Sequence, residues 1–565
     1  MSSQQSSSGL EKWQIALLIG APVAVVCVAG AVWYWRNSQE GEEEGEREDE
    51  EKGNHEEKKA EDDGASEAKT TNMTPSEQAQ VAKLKGNKYF KGCKYEQAIK
   101  CYTEAIELCP PENKQDLSTF YQNRAAAYEQ MNQFENVVEE ATKALELNSK
   151  YTKALMRRAR ALEKLERKQE CLQDLTAVCI LEGFSNPSWM MHADRVLKDI
   201  GRQKAKEHFK NRKPTIPSPT YIKAYLESFS QDEIFSDDLQ GQDDVPNDSP
   251  FLAALEEIKE KRFDKVIDLC DDEINRGPSP CYARAMALRG TMHTLMSQVK
   301  EAIDDLTQVI DMDDDKASTK LKINCLIKRG SLHIQETREA EADQDFKKAI
   351  LLDPNNSDIY HHRAQIHFLT EKIAEAKEDF EKSIKLNPDF IPARIQLAYC
   401  IYKTAVFQQN AVLARGALEL FEEISTNNPD NPDALSLHAQ VLQEQGQFEE
   451  ACEKFDTAIK LQPENPVHKV YKGLLMVQWK QDFGKSVELV NEAISIDSKC
   501  DFAYETLATL EVQRGNLEKS VELFDKAIDL VRTEGEMAQT FSLREAAIAQ
   551  HHVTKKMGIV PNFMG

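Results

Sequence analysis

The sequence predicts an all-α protein: a superhelical solenoid of stacked helical hairpins in two blocks, preceded by one N-terminal transmembrane helix. Three observations predict it. Small and aromatic residues recur at fixed offsets about every 34 residues through most of the chain. An uncharged apolar run fills residues 13–35, and Pro214, Pro217 and Pro219 interrupt the recurrence and divide it in two.

Residues 1–12 form a serine- and glutamine-rich leader without the arginines of a matrix transit peptide, and they are read as disordered. The run WQIALLIGAPVAVVCVAGAVWYW at 13–35 has tryptophan at both ends and is long enough for a bilayer-spanning helix of roughly 20 residues. We read it as a membrane anchor. A cleaved signal peptide is the competing reading, but the run is longer than an apolar core of about 7 to 15 residues. Only Lys12 and Arg36 flank it closely, and GEEEGEREDEEK follows, so the flanks give no orientation. The cysteines form no regular framework, which places the bulk of the chain in a reducing compartment, the cytosol. Residues 36–75 are an acidic tether that cannot bury a core.

Residues 76–185 carry the first block. Counting from Ala79 puts Gly86, Tyr89, Ala98, Tyr102, Ala105 and Pro110 at recurring positions; Ala82 and Lys85 depart from the pattern. Counting from Ser118 gives Ala125, Tyr128, Phe134, Ala144 and Leu147, and a weaker copy from Thr152 keeps Ala159 and Cys171. Residues 186–249 read as a helical junction, then a mobile loop rich in Asp, Gln and Gly from Ser230 to Ser249. Residues 250–558 carry about eight further units plus capping helices. Units from Ile323, Ser357, Pro432 and Asp501 are clear, those near Asn247, Ala283, Ile391 and Pro466 weaker; 559–565 is a tail.

These offsets are those of the tetratricopeptide repeat, a helical hairpin whose small residues let two helices approach closely. Inner-helix positions two, five, six, nine and twelve of that repeat face the concave groove. In the first block Lys83, Asn87, Asn123, Lys153 and Arg157 all fall there. Lysines, arginine and amides at matching positions of three consecutive units point to a basic clamp for the C-terminal carboxylates of a peptide, since each charge-assisted bond contributes roughly 1.5–3 kcal/mol. In the second block Ile395, Tyr399, Tyr402, Val470, Tyr471 and Leu474 occupy inner positions. Two readings stand there: an apolar channel for unfolded or amphipathic polypeptide, or side chains covered by tight superhelical packing or by the insertion around Phe407 to Leu413.

A formal net charge of −25 disfavours nucleic acid as a partner. Gly484-Lys485-Ser486 lacks the glycine and strand of a phosphate loop, because Trp479 stands at the first glycine's place. His361 and His362 are adjacent and point to different sides of a helix. No nucleophile elbow or metal motif occurs, so the sequence implies no enzyme, no cofactor and no metal.

The clamp resembles the two-carboxylate clamp of chaperone-binding tetratricopeptide domains, which grip the Glu-Glu-Val-Asp tails of cytosolic heat-shock chaperones. That resemblance implies that Lys83, Asn87 and Asn123 hold the terminal carboxylate and last side chain, with Lys153 and Arg157 on the aspartate and backbone. More widely, the anchor, tether, three clamp repeats and eight further repeats resemble the large tetratricopeptide receptors of the mitochondrial outer-membrane import translocase. The stretches KGNKYFKGCKYEQAIKCYTEAIELCP, STFYQNRAAAYEQ, AVCILEGF and CDFAYETLATLEVQRGN carry this likeness. It implies a single-pass receptor facing the cytosol that docks chaperones, accepts hydrophobic mitochondrial precursor proteins such as metabolite carriers, and works with other translocase subunits. The alternative is a membrane-tethered co-chaperone or assembly scaffold at another organelle.

Overall fold

The computed structural model describes residues 73–236 and 248–558. The run read as a transmembrane anchor lies outside the described residues, as does most of the tether; among the described residues no helix is long and apolar enough to cross a membrane. The described chain is helical throughout. Three antiparallel hairpins come first: α1 (Pro75–Lys91) with α2 (Tyr95–Leu108), α3 (Lys114–Gln130) with α4 (Phe134–Leu147), and α5 (Thr152–Lys164) with α6 (Lys168–Leu181). The long α7 (Pro187–Asn211) and short α8 (Pro219–Glu227) follow, then a 3₁₀ turn, Glu233–Phe235.

The series resumes with α9 (Pro250–Lys259) and α10 (Val266–Asn275), α11 (Tyr282–Leu295) and α12 (Val299–Ile310), α13 (Thr319–Gln335) and α14 (Glu339–Leu352), and α15 (Ser357–Leu369) and α16 (Ile373–Leu386). Then come α17 (Ile391–Phe407) and α18 (Ala411–Asn427), α19 (Pro432–Glu444) and α20 (Phe448–Leu461), α21 (Pro466–Lys480) and α22 (Phe483–Ile496), and α23 (Asp501–Gln513) and α24 (Leu517–Leu530). The last helix is α25 (Glu534–Met557).

Three local devices repeat along the hairpins. Glycine at the eighth position lets the second helix approach: a Cβ on Gly86 would enter the Tyr102 ring, and one on Gly330 the Phe346 ring. The turn inside each hairpin contains one residue in the left-handed region, among them Cys93, Asn132, Glu166, Ser297, Thr337, Glu371, Gly446 and Gly515. That residue reverses the chain in the fewest steps.

The third device is an ion pair sixteen residues apart that ties the two helices of one hairpin. Arg124–Glu140, Arg158–Asp174, Arg289–Asp305, Arg329–Asp345 and Arg363–Asp379 are each 2.6–2.7 Å apart, with the carboxylates almost fully buried. The same guanidiniums reach back one hairpin: Arg124 donates to Thr103, Arg158 to Thr142 and Arg329 to Thr307. One arginine therefore fixes three helices, which sets the stacking geometry as well as the hairpin.

The described residues divide into two compact units. The first comprises 73–206 with 511–522 and 538–558. The C-terminal part of α25, expected only as a cap on the second block, belongs to this unit: Ala549 packs with Leu172, Leu175, Val196 and Ile200, and Val553 with Leu155 and Val178. Lys204 pairs with Glu545 at 2.8 Å. Gly201 permits this contact, because a Cβ there would collide with the Ala538 carbonyl and the Ser542 hydroxyl.

The second unit comprises residues 207–510 with 523–537. Its central inner helices are buried nearly all round: in α13 every residue from Leu321 to Ile334 except Arg329 is buried, whereas α1 in the first unit buries only Ala79, Ala82 and Gly86. A solenoid helix with an open concave face cannot be buried on every side, so something fills this groove. The filler is the chain's own segment 218–236. Tyr221, Ile222, Tyr225, Phe229 and Ile234 join the hydrophobic core of the second unit. The start of the stretch read as a mobile loop is thus held in place, with Ser230 and Gln231 donating to the Asp358 carboxylate; residues 237–247 lie outside the described residues.

Candidate functional site

Lys83, Asn87, Asn123, Lys153 and Arg157 lie on the first helices of three successive hairpins, α1, α3 and α5, whose close packing follows from the small residues at Gly86, Ala125 and Ala159. The structure brings Asn87 and Asn123 together, 3.5 Å between Asn123 Nδ2 and Asn87 Oδ1. The Tyr102 hydroxyl donates to the same Asn87 oxygen at 2.8 Å. Burial pushes the Tyr102 hydroxyl up to about 12, so it stays a donor at neutral pH. With that oxygen engaged, the Asn87 NH₂ is the group left to donate to a ligand.

Lys83 sits one turn before Asn87, and Lys153 one turn before Arg157. Lys83 is half-buried, Lys153 is exposed, and neither forms an ion pair among the described residues. Arg157 differs. Its Nε donates to Glu129 Oε2 at 2.6 Å and its Nη1 to the Gln122 carbonyl at 3.4 Å. The guanidinium is therefore held in a fixed orientation with an edge still available, and its charge is partly offset by the Glu129 carboxylate.

Three positioning residues escaped the sequence reading: Tyr102, Gln122 and Glu129. Gln122 and Glu129 stand at positions five and twelve of the second repeat, so the rule that selected the clamp residues already marked them as groove-facing. Chemically, the site offers two unpaired ammoniums, two amides and one oriented guanidinium to an anion, which fits carboxylates and supplies no acid, base or nucleophile for catalysis. No cluster of metal-ligating side chains occurs among the described residues.

The six apolar residues assigned to a groove in the second block are not an open surface. Ile395, Tyr399, Tyr402, Val470 and Tyr471 are each at most 2% exposed, and Leu474 is partly buried. Ile395 lines a cavity of about 90 Å³ shared with Lys223 and Glu227 of α8, so the chain's own segment covers it. Tyr399 packs edge-on against Phe368, and the Tyr402 hydroxyl accepts from Gln445 Nε2 at 2.7 Å. Val470 is fully buried, Tyr471 packs between Phe455 and Phe502, and Leu474 sits beside Phe448 and Trp479. Of the two readings of these positions, the covered one describes this conformation.

Tetratricopeptide repeat models match residues 118–151, 323–356, 357–390 and 414–466. The chain is 44% identical to the human mitochondrial import receptor subunit TOM70 over 576 residues, covering 98% of this chain and 94% of that protein. The rat protein of the same name is 45% identical over 98% of this chain and 93% of its own length, and the Saccharomyces cerevisiae one 26% over 87% and 83%. The crystal structure of the yeast Tom70 matches with a TM-score of 0.51 at 25% identity, covering 85% of this chain and 98% of that one. The described residues are thus an all-helical tetratricopeptide solenoid, and the chain belongs to the family of mitochondrial import receptor subunit TOM70.

Proposed function

We propose that the protein is an import receptor of the mitochondrial outer membrane that binds two things at once. Its first block, residues 76–185, docks cytosolic heat-shock chaperones by the carboxylates of their Glu-Glu-Val-Asp tails. Its second block takes hydrophobic precursors, metabolite carriers among them, and passes them to other subunits of the translocase. The uncharged run 13–35 is the single-pass anchor, leaving the rest of the chain in the cytosol. Simultaneous engagement of tail and client raises the effective concentration of each contact, so modest affinities suffice.

One observation carries this reading: Lys83 and Lys153, without ion-pair partners among the described residues, stand on the first helices of the same three consecutive hairpins whose first two carry the Asn87–Asn123 amide pair. Unpaired cations beside fixed amide donors attract a carboxylate-rich tail. The test is calorimetric titration of a Glu-Glu-Val-Asp pentapeptide into the full chain and into Arg157→Ala. Loss of one charge-assisted contact, about 1.5–3 kcal/mol, weakens binding roughly 10- to 150-fold. Equal affinities for the two proteins refute the clamp.

A further inference from the structure

The second unit's groove is occupied by its own chain, and the occupant is built from two kinds of contact. Apolar anchors Ile222, Tyr225 and Phe229 recur at three- and four-residue spacing on one face of α8 and its continuation, with Ile234 beyond. Polar contacts run along both flanks. The Ser218 and Thr220 hydroxyls donate to Asp497, the Arg532 guanidinium lies 3.5 Å over the Tyr221 ring, and Ser230 and Gln231 donate to Asp358. At the far end Asp232 pairs with the fully buried Lys328 at 3.0 Å, and Glu233 with Arg284 at 3.4 Å.

This fit leaves a cleft beside α8. A pocket of about 90 Å³, partly open to solvent, lies between α8 and the inner helices α17 and α19, lined by Lys223, Glu227, Ile395, Gln396 and Asp433. On the same inner face of α19, Ser436 Oγ and both amide atoms of Gln440 are buried and make no hydrogen bond among the described residues. A segment serving only as permanent core would be expected to leave few buried polar groups beside it unpaired. An interchangeable occupant need not.

We propose that segment 218–236 is a releasable strap, an in-chain amphipathic helix with a polar tail that holds the client groove of the second unit and that a client of like chemistry must displace. The inference rests on the second block being the client-receiving block. It names the client's chemistry: a short amphipathic helix presenting aliphatic and aromatic side chains at three- and four-residue spacing, with hydroxyl or acidic groups for the flanking Asp358, Lys328 and Arg284. It also means that apparent affinity is the intrinsic affinity reduced by the fraction of molecules with the strap released.

The Ser230 and Ser357 side-chain oxygens are 3.3 Å apart, so Ser230→Cys with Ser357→Cys gives two thiols within reach of a disulfide that locks the strap reversibly. Hydrogen exchange of the full-length double variant is measured reduced and oxidised. A labelled peptide spanning one transmembrane hairpin of a metabolite carrier is then titrated into each form, with bridging confirmed by mass spectrometry. The strap predicts that α8 amides in the reduced protein exchange at least about tenfold faster than those of α13 and α15, that oxidation slows them, and that oxidation weakens the carrier peptide at least about tenfold, reversed by dithiothreitol. Exchange of α8 only in step with α13 and α15 overturns the strap, making it permanent core. Unchanged peptide affinity on oxidation also overturns it, placing the client elsewhere. A reduced protein that fails to bind the peptide refutes the client-receiving block instead, while the exchange rates still decide whether the strap opens.

Discussion

Glu129 holds Arg157 and, under the proposed function, at the same time opposes it as an anion receptor. Its carboxylate accepts from Arg157 Nε at 2.6 Å, with both side chains only 17–18% exposed. Glu129→Gln keeps an acceptor for that bond and removes one negative charge from the groove. A unit charge about 6 Å from a ligand carboxylate, at an effective dielectric of about 40 to 80, repels it by roughly 0.7–1.4 kcal/mol. The variant is therefore expected to bind a Glu-Glu-Val-Asp pentapeptide about three- to tenfold more tightly at low salt. The gain should shrink near 1 M salt, where the screening length falls to about 3 Å. Calorimetric titration measures both. Adding Glu129→Gln to Arg157→Ala separates the two roles, because a purely orienting Glu129 has no effect once the arginine is gone, whereas a repelling one still does. Unchanged or weaker binding by the single variant at both salt concentrations refutes the electrostatic account.

Three other outcomes follow from the packing and charge of the fold. Gly201→Val overpacks the contact with Ala538 and Ser542 by about 1–3 kcal/mol, so exchange of residues 545–553 should accelerate at least fivefold while α13 is unaffected; equal rates contradict the close approach. Asp345→Ala strands the Arg329 guanidinium in a half-buried site and should cost about 3–5 kcal/mol in a denaturant titration, against a negligible change for the exposed Asp264→Ala. Burial holds His362 neutral down to about 3, His438 and His468 down to about 4, and pushes His361 well below its ordinary value of 6.5. The unfolded chain takes up those protons first, so the stabilisation is complete above pH 6.5 and is lost as pH falls toward 4, at up to roughly 1.4 kcal/mol per histidine per pH unit. Exchange in α15, α19 and α21 should therefore quicken below pH 6.5; pH-independent opening rates contradict it.

The hairpins were legible in the sequence because a repeat encodes its nearest contacts at fixed offsets. Ser357, Ile391, Pro432, Pro466 and Asp501, picked as unit starts, are the residues at which helices begin. The same ruler contained the sixteen-residue ion pairs, since Arg124, Arg158, Arg289, Arg329 and Arg363 all stand at the seventh position; attention to small and aromatic residues passed over them. The candidate clamp residues were legible as a set of positions. Glu129 fell under the same positional rule, but its bond to Arg157, like that of Tyr102 to Asn87 within the first hairpin, depends on side-chain reach as well as register.

What no ruler held were contacts outside the repeat. The strap bonds Ser218 to a residue 279 positions away, and Ser542 donates to the Leu197 carbonyl 345 positions away. Such pairings leave no periodic trace. Residues 230–236 looked like a loop because their polar composition matches one, although here the Ser230 hydroxyl, the Gln231 backbone N–H, Asp232 and Glu233 each answer a partner in the groove wall.

The central claim is that unpaired cations and amides on α1, α3 and α5 recognise the carboxylates at a chain terminus. It is tested most directly by titrating the full-length protein with two pentapeptides that differ only in the last group, Glu-Glu-Val-Asp with a free C-terminus and the same peptide as its C-terminal amide. Removing the terminal charge should weaken binding at least about tenfold, with a smaller salt dependence for the amide. Equal affinities and equal salt dependence would contradict the claim.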